Sequence, residues 1–244
     1  QDGLNRYDGY SFKTYRNNPI DTTTLSNNNI NSICEDSSGN LWVGTWNGLS
    51  MLSRATGQFK NYYHNPINPY SLSSNRVFNV YRDSYGTIWV KTLDALDKYD
   101  PQTDSFIRFP HYSDPFSFLS DNYNFTIYED SKKRLWVGTK DGLMYFDRQL
   151  GLFKRYSHNP NNSKSISDNR VKHIYEDTHN NLWIATANGL NRFLPDSETF
   201  IRYLGKPNSP NSLRSGLVNV VFQDSQGELL IGTNEGLARF DYEK

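Results

Sequence analysis

Cysteine is all but missing from this chain: Cys34 stands alone among 244 residues, so no internal disulfide can form. That suits a reducing compartment, and it suits equally a periplasmic protein held by packing alone. Net charge is missing as well. Lys+Arg 26 balances Asp+Glu 26, so the overall field attracts neither nucleic acid nor an anionic membrane surface. No stretch approaches the roughly 20 apolar residues that a spanning helix needs, and "QDGLNRYDGY" at the start has no basic-then-apolar leader pattern. The expectation is a soluble segment without a membrane span. Helical periodicity is absent too.

What is abundant is aromatic: 17 Tyr, 14 Phe and 5 Trp. With Asn, Ser and Gly filling the gaps, this composition favours many short strands joined by turns. The phrase "LWVGTWNGLS" returns as "IWVKTLDALD", "LWVGTKDGLM", "LWIATANGLN" and "LLIGTNEGLA". A step of 47 residues links Trp42, Trp89, Trp136, Trp183 and Leu230. The same step links Asp36, Asp83, Asp130, Asp177 and Asp224, the threonines from Thr45 to Thr233, and Gly48, Ala95, Gly142, Gly189 and Gly236. The glycines fall where a two-residue turn demands a positive φ, so Ala95 marks a different or strained turn. Each unit reads as four strands, in the third copy "NFTIYED", "RLWVGT", "GLMYFD" and "LFKRYS".

Four-strand units of this length, repeated, are the signature of β-propeller blades. The predicted fold is all-β: a propeller of 47-residue four-stranded blades, about five repeats, cut from a larger ring of the seven-bladed type, with a closed five-blade ring as the alternative. The expected division within a single domain is a partial blade over 1–16, blades over 17–63, 64–110, 111–157 and 158–204, and a partial blade over 205–244. The repeated tryptophans should pack between blades, because a residue present in every unit serves what every unit shares. Trp46 is outside that register.

"NPINPYSLSSNRVFNVYRDSYGTIWV" and "LWVGTKDGLMYFD" resemble the two-component regulator propeller repeats in the periplasmic sensor regions of hybrid two-component systems of gut bacteria. The resemblance covers essentially the whole chain. It implies a parent receptor in which paired propellers and a small β-sandwich precede a transmembrane helix, a histidine kinase and a DNA-binding response regulator. It also implies a periplasmic location, a parent anchored in the inner membrane, and the sensing of glycan breakdown products.

Candidate chemistry is sparse. His64, His111 and His158 keep the 47-residue step, and each is expected to serve its own loop; with no acidic or Cys cluster beside them, no metal site and no cofactor are expected. The recurring Asp residues read as turn formers, and a carboxylate found in every blade is a poor glycosidase acid. No catalytic residue is assigned and no enzyme activity is expected of this segment. Ligand readers should instead be residues that differ between blades at the loop-bearing end. One register runs Asn29, Arg76, Tyr123, Arg170, Leu217, and another Ser32, Asn79, Thr126, His173, Val220. Arg, Tyr and His converging there suit an anionic or hydroxyl-rich ligand. Trp46, Arg76, Tyr112, Tyr123, Arg170 and His173 are the ligand-binding candidates, with Phe116 beside Tyr112. The expected partners are an oligosaccharide or other small polar ligand, the remainder of the receptor chain and, as a further option, a second copy in a homodimer; nucleic acid is not expected. The alternatives are a polysaccharide-acting propeller enzyme and a protein-interaction scaffold.

Overall fold

The computed structural model describes residues 2–110, 126–206, 209 and 212–242. The chain divides into two compact units, residues 1–120 and 121–244. In the first, β1 (Leu4–Tyr7) and β2 (Phe12–Tyr15) form a hairpin. The first blade follows as β3 (Ile30–Glu35), β4 (Leu41–Thr45), β5 (Gly48–Leu52) and β6 (Phe59–Tyr62), and the second as β7 (Val77–Arg82), β8 (Ile88–Thr92), β9 (Ala95–Asp100) and β10 (Ser105–Pro110).

The second unit holds the third blade, β11 (Thr126–Glu129), β12 (Leu135–Gly138), β13 (Leu143–Asp147) and β14 (Leu152–Tyr156), and the fourth, β15 (Val171–Glu176), β16 (Leu182–Thr186), β17 (Gly189–Leu194) and β18 (Thr199–Tyr203). A three-stranded fifth sheet closes the sequence: β19 (Val218–Gln223), β20 (Leu229–Thr233) and β21 (Gly236–Phe240). Every sheet is an antiparallel meander, and no helix occurs among the described residues.

The second strand of each full blade is almost wholly buried, and within each unit a neighbouring sheet packs against its blade. Trp42, Trp89, Trp136 and Trp183 are 0–1% exposed. Within the first unit Trp42 packs on Tyr62 of its own blade and Tyr99 of the next. Within the second, Trp136 meets Phe193 of the fourth blade and Trp183 meets Phe240 of the fifth. The indole N–H is not wasted: it donates to Asp36, Asp83, Asp130 and Asp177 at 2.9, 2.8, 2.8 and 2.7 Å. Each Asp also accepts backbone N–H groups two and four residues on, as Asp36 does from Ser38 and Asn40 at 2.9 Å. One side chain thus closes the turn and anchors the core aromatic.

Blades approach closely where strand two meets the first strand of the next. A Cβ on Gly44 would lie 2.7 Å from a Val77 methyl, which is why "LWVGT" carries glycine there. Gly48, Gly142, Gly189 and Gly236 take φ between 105° and 128°. Ala95 is not among the positive-φ residues, and its N–H bonds Thr92 Oγ1 at 3.2 Å, a differently routed turn.

Candidate functional site

Among the described residues four first strands carry a β-bulge, between Ile30 and Ser32, Val77 and Asn79, Val171 and His173, and Val218 and Val220. A bulge leaves one residue unpaired and re-aims its side chain. In the first two blades those residues are Asn31 and Phe78. The turn between β4 and β5 carries Trp46, which is 44% exposed. Its backbone N–H bonds the Asn29 carbonyl at 3.1 Å and its indole N–H donates to Asn31 Oδ1 at 3.0 Å. Asn31 in turn donates to the Val77 carbonyl at 2.7 Å, tying the assembly to the second blade.

Over this indole stands Arg76. Its guanidinium carbon is 5.1 Å from the Trp46 ring centroid and 5.8 Å from that of Phe78, within cation–π range. Among the described residues no carboxylate pairs with it. Arg170, its counterpart in the fourth blade, is closed by its own neighbour: Nε and Nη2 donate to the two oxygens of Asp168 at 3.0 and 3.1 Å. Burial pushes the Asp168 carboxyl up, but the bonds from Arg170 outweigh it and hold it below its ordinary value. The difference is one register position, Ser74 against Asp168. The first blade pair therefore offers an aromatic plate with an uncommitted fork of donors.

His173 is half-buried and bonds the Val221 backbone, while its Nδ1 has no partner among the described residues. Burial pulls its pKa down. Ser32, in the same register, accepts from Val80 N–H at 3.0 Å. This position braces one blade to the next. Tyr112 and Tyr123 lie outside the described residues, as do His111 and Phe116. His64 and His158 each hold their own loop, with Nδ1 2.7 Å from the Leu72 carbonyl and 2.8 Å from that of Ile166.

Asn31 and Phe78 escaped the sequence reading, although their register varies from blade to blade: Asn31, Phe78, Phe125, Lys172, Asn219. Lys91 escaped as well. It stands where other blades have Gly44, Gly138, Ala185 and Gly232, and it is 0% exposed, as is Asp97. Lys91 Nζ donates to the Thr92 carbonyl at 2.6 Å, and Asp97 Oδ2 accepts Ser73 N–H and Oγ–H at 2.8 and 2.7 Å. Burial lowers Lys91 to about 7 and raises Asp97 to about 6.

Packed four-stranded antiparallel sheets joined in series define a β-propeller protein. The two component regulator propeller repeat is matched at residues 24–47, 71–94, 117–141 and 165–188, so the chain carries four two component regulator propeller repeats. Among solved structures it is similar to the extracellular domain of a hybrid two component system from B. thetaiotaomicron: 24% identity, TM-score 0.64, over 97% of this chain and 37% of that one. It spans, then, little more than a third of that relative. Virginiamycin B lyase from Staphylococcus aureus shares 14% identity at TM-score 0.54, over 88% of this chain and 71% of that chain. An auxiliary nutrient binding protein from Bacteroides ovatus shares 12% at TM-score 0.51, over 90% and 61%. These likenesses are of fold. No curated protein matches the chain.

Proposed function

We propose that this chain is a non-catalytic, extracytoplasmic sensor segment of a hybrid two-component receptor, and that Trp46 and Arg76 receive an anionic glycan fragment. The repeat matched along the chain and the fold shared with an extracellular receptor domain support the sensor role. The receptor would stand in the periplasm, with its parent anchored in the inner membrane. One observation carries the ligand reading: among the described residues the Arg76 guanidinium lies over an exposed indole without a carboxylate partner, whereas Arg170 is neutralised by Asp168. A sugar ring can stack on the Trp46 face while its carboxylate or sulfate takes two N–H donors of Arg76.

Calorimetry with matched neutral and uronate- or sulfate-bearing oligosaccharides tests this. The acidic sugars should bind, Arg76→Ala should weaken them about 10- to 100-fold, in line with a charge-assisted bond, and Arg170→Ala should leave affinity unchanged. Equal losses in the two variants would remove the basis for the site. Reducing ends released by the purified chain, and lost on one carboxylate substitution, would instead make it an enzyme. Absence of heat with every sugar, beside clear self-association, would favour an interaction scaffold.

A further inference from the structure

At the other end of the first two blades, where the turns after strands one and three lie, a groove of about 520 Å³ opens beside Asp36, Trp42, Tyr85, Tyr99, Pro101 and Ile107. Within the second unit the corresponding place occurs twice among the described residues, and there the chain's own side chains fill it. Between the third and fourth blades Arg134 lies over Trp136 at 5.2 Å and donates to Asp130 Oδ2 at 2.6 Å. Between the fourth and fifth, Tyr242 packs on Phe240 and His179 and meets the edge of Trp183 at 6.5 Å; its hydroxyl donates to Asp177 Oδ2 at 2.8 Å.

The open groove and the one closed by Tyr242 are built from the same parts. Asp36, Asn40 and Trp42 correspond to Asp177, Asn181 and Trp183, and "KYDP" at 98–101 corresponds to "RFDY" at 239–242. In both, the carboxylate Oδ2 accepts the indole N–H and an asparagine N–H, at 2.9 and 3.0 Å on Asp36 and at 2.7 and 3.0 Å on Asp177. The decisive difference is Pro101 in place of Tyr242: proline has no ring-stacking face with a donor at its tip. Exposure follows. Asp83, Asp130 and Asp177 are 2–4% exposed, whereas Asp36 is only half-buried. Seam stitching differs in the same place. Ser131 N–H and Oγ–H donate to Glu176 of the following blade, but the residue in the Glu176 register of the second blade is Arg82, which cannot accept from Ser37.

We infer that this groove docks a tyrosine side chain from a partner polypeptide, the phenol ring entering beside Trp42 and its hydroxyl donating to Asp36 Oδ2 as Tyr242 does to Asp177. Tyrosine is favoured over arginine because the arginine solution uses residue 134 itself, in place of the asparagine that Asn40 and Asn181 share. Lys98 also lines the groove and disfavours an incoming cation.

The test is a titration of N-acetyltyrosinamide into the ¹⁵N-labelled chain, following the Trp42 indole N–H, assigned with Trp42→Phe. That resonance should move saturably, those of Trp46 and Trp136 should stay in place, and N-acetylalaninamide should move none. Asn40→Arg, which copies the Arg134 solution, should weaken the tyrosine probe at least tenfold without lowering the melting temperature. The inference is overturned if Trp42 is unmoved up to the probe's solubility, if Asn40→Arg binds like wild type, or if methylguanidinium or an oligosaccharide moves Trp42 and the tyrosine probe does not.

Discussion

Two kinds of tryptophan coexist, and they should behave differently. Trp136 is 1% exposed and wedged between Tyr145, Tyr156 and Phe193, so Trp136→Ala should cost about 3–5 kcal/mol. Trp46→Ala gives up an exposed turn position, an exposed indole bond to Asn31 and one cation–π contact, about 1–2 kcal/mol. Urea midpoints of the two variants measure the gap, and equal losses would refute the packing role. Lys91 and Asp97 make a second test. Between about 7 and its unfolded value the Lys91 amine binds fewer protons in the fold than in the unfolded chain, so its contribution to stability rises with pH. Asp97 works the other way: from about 6 down to its ordinary value the fold holds the extra proton, and stability rises as pH falls. The two contributions meet in a minimum between about 6 and 7. The double variant Lys91→Met, Asp97→Asn should flatten both limbs in urea titrations at pH 4.5, 6.5 and 9.

At the scale of the element, neighbouring blades within each unit are joined by more than apolar area. Tyr62 and Tyr99, from the fourth strand of the first blade and the third strand of the second, both donate to Asp104 at 2.8 Å, and Lys60 pairs with the same carboxylate. Glu198 repeats the device with Lys154 and, at 3.2 Å, Tyr156. Both acids occupy a left-handed turn position, φ 52° and 53°, where Gly57 and Gly151 stand in the corresponding turns. An L-residue there is held against its backbone preference by what its side chain bonds. Asp104→Gly relieves that strain yet strips two phenols of their acceptor, for a net loss of about 1–2 kcal/mol. Glu198→Gly should cost less, since one phenol depends on it and at a longer distance. A reversed order in thermal melts would show that the left-handed strain outweighs the bonds.

For the whole molecule, the repeat gives a ruler for what is covered and what is bare. Leu49, Leu96, Leu143 and Leu190 are 0% exposed, while Leu237, next in that register, is 70% exposed. Ile33 is 47% exposed where Val80 and Ile174 are 3% and 1%. Phe222 and Val220 add to the bare face of the fifth sheet. Contiguous apolar surface of this kind promotes association. Sedimentation of the chain should show concentration-dependent self-association, and Leu237→Glu should weaken it at least tenfold while leaving the melting temperature near wild type. Leu190→Glu, by contrast, should unfold the protein.

The step of 47 residues and the four strands per unit were legible in the amino-acid order. So were the buried tryptophans and the loop-bound His64 and His158. These depend on strand alternation, turn glycines and the demands that every blade shares, which a repeating sequence writes five times over. Of the cluster around the Trp46 indole, the sequence singled out Trp46 and Arg76 because they differ between blades, but it did not single out Asn31 and Phe78, because a bulge decides where they point. Arg76 and Arg170 look alike in register, and only the structure separates them: one meets an indole from the preceding blade, the other an aspartate two residues away. Lys91 and the groove at Asp36 belong to the same class. Whether a buried amine finds a carbonyl oxygen beside it is decided by local packing, and whether a carboxylate finds the hydroxyl of Tyr242 65 residues further on is decided where two blades meet; no period in the sequence records which side chain arrives there.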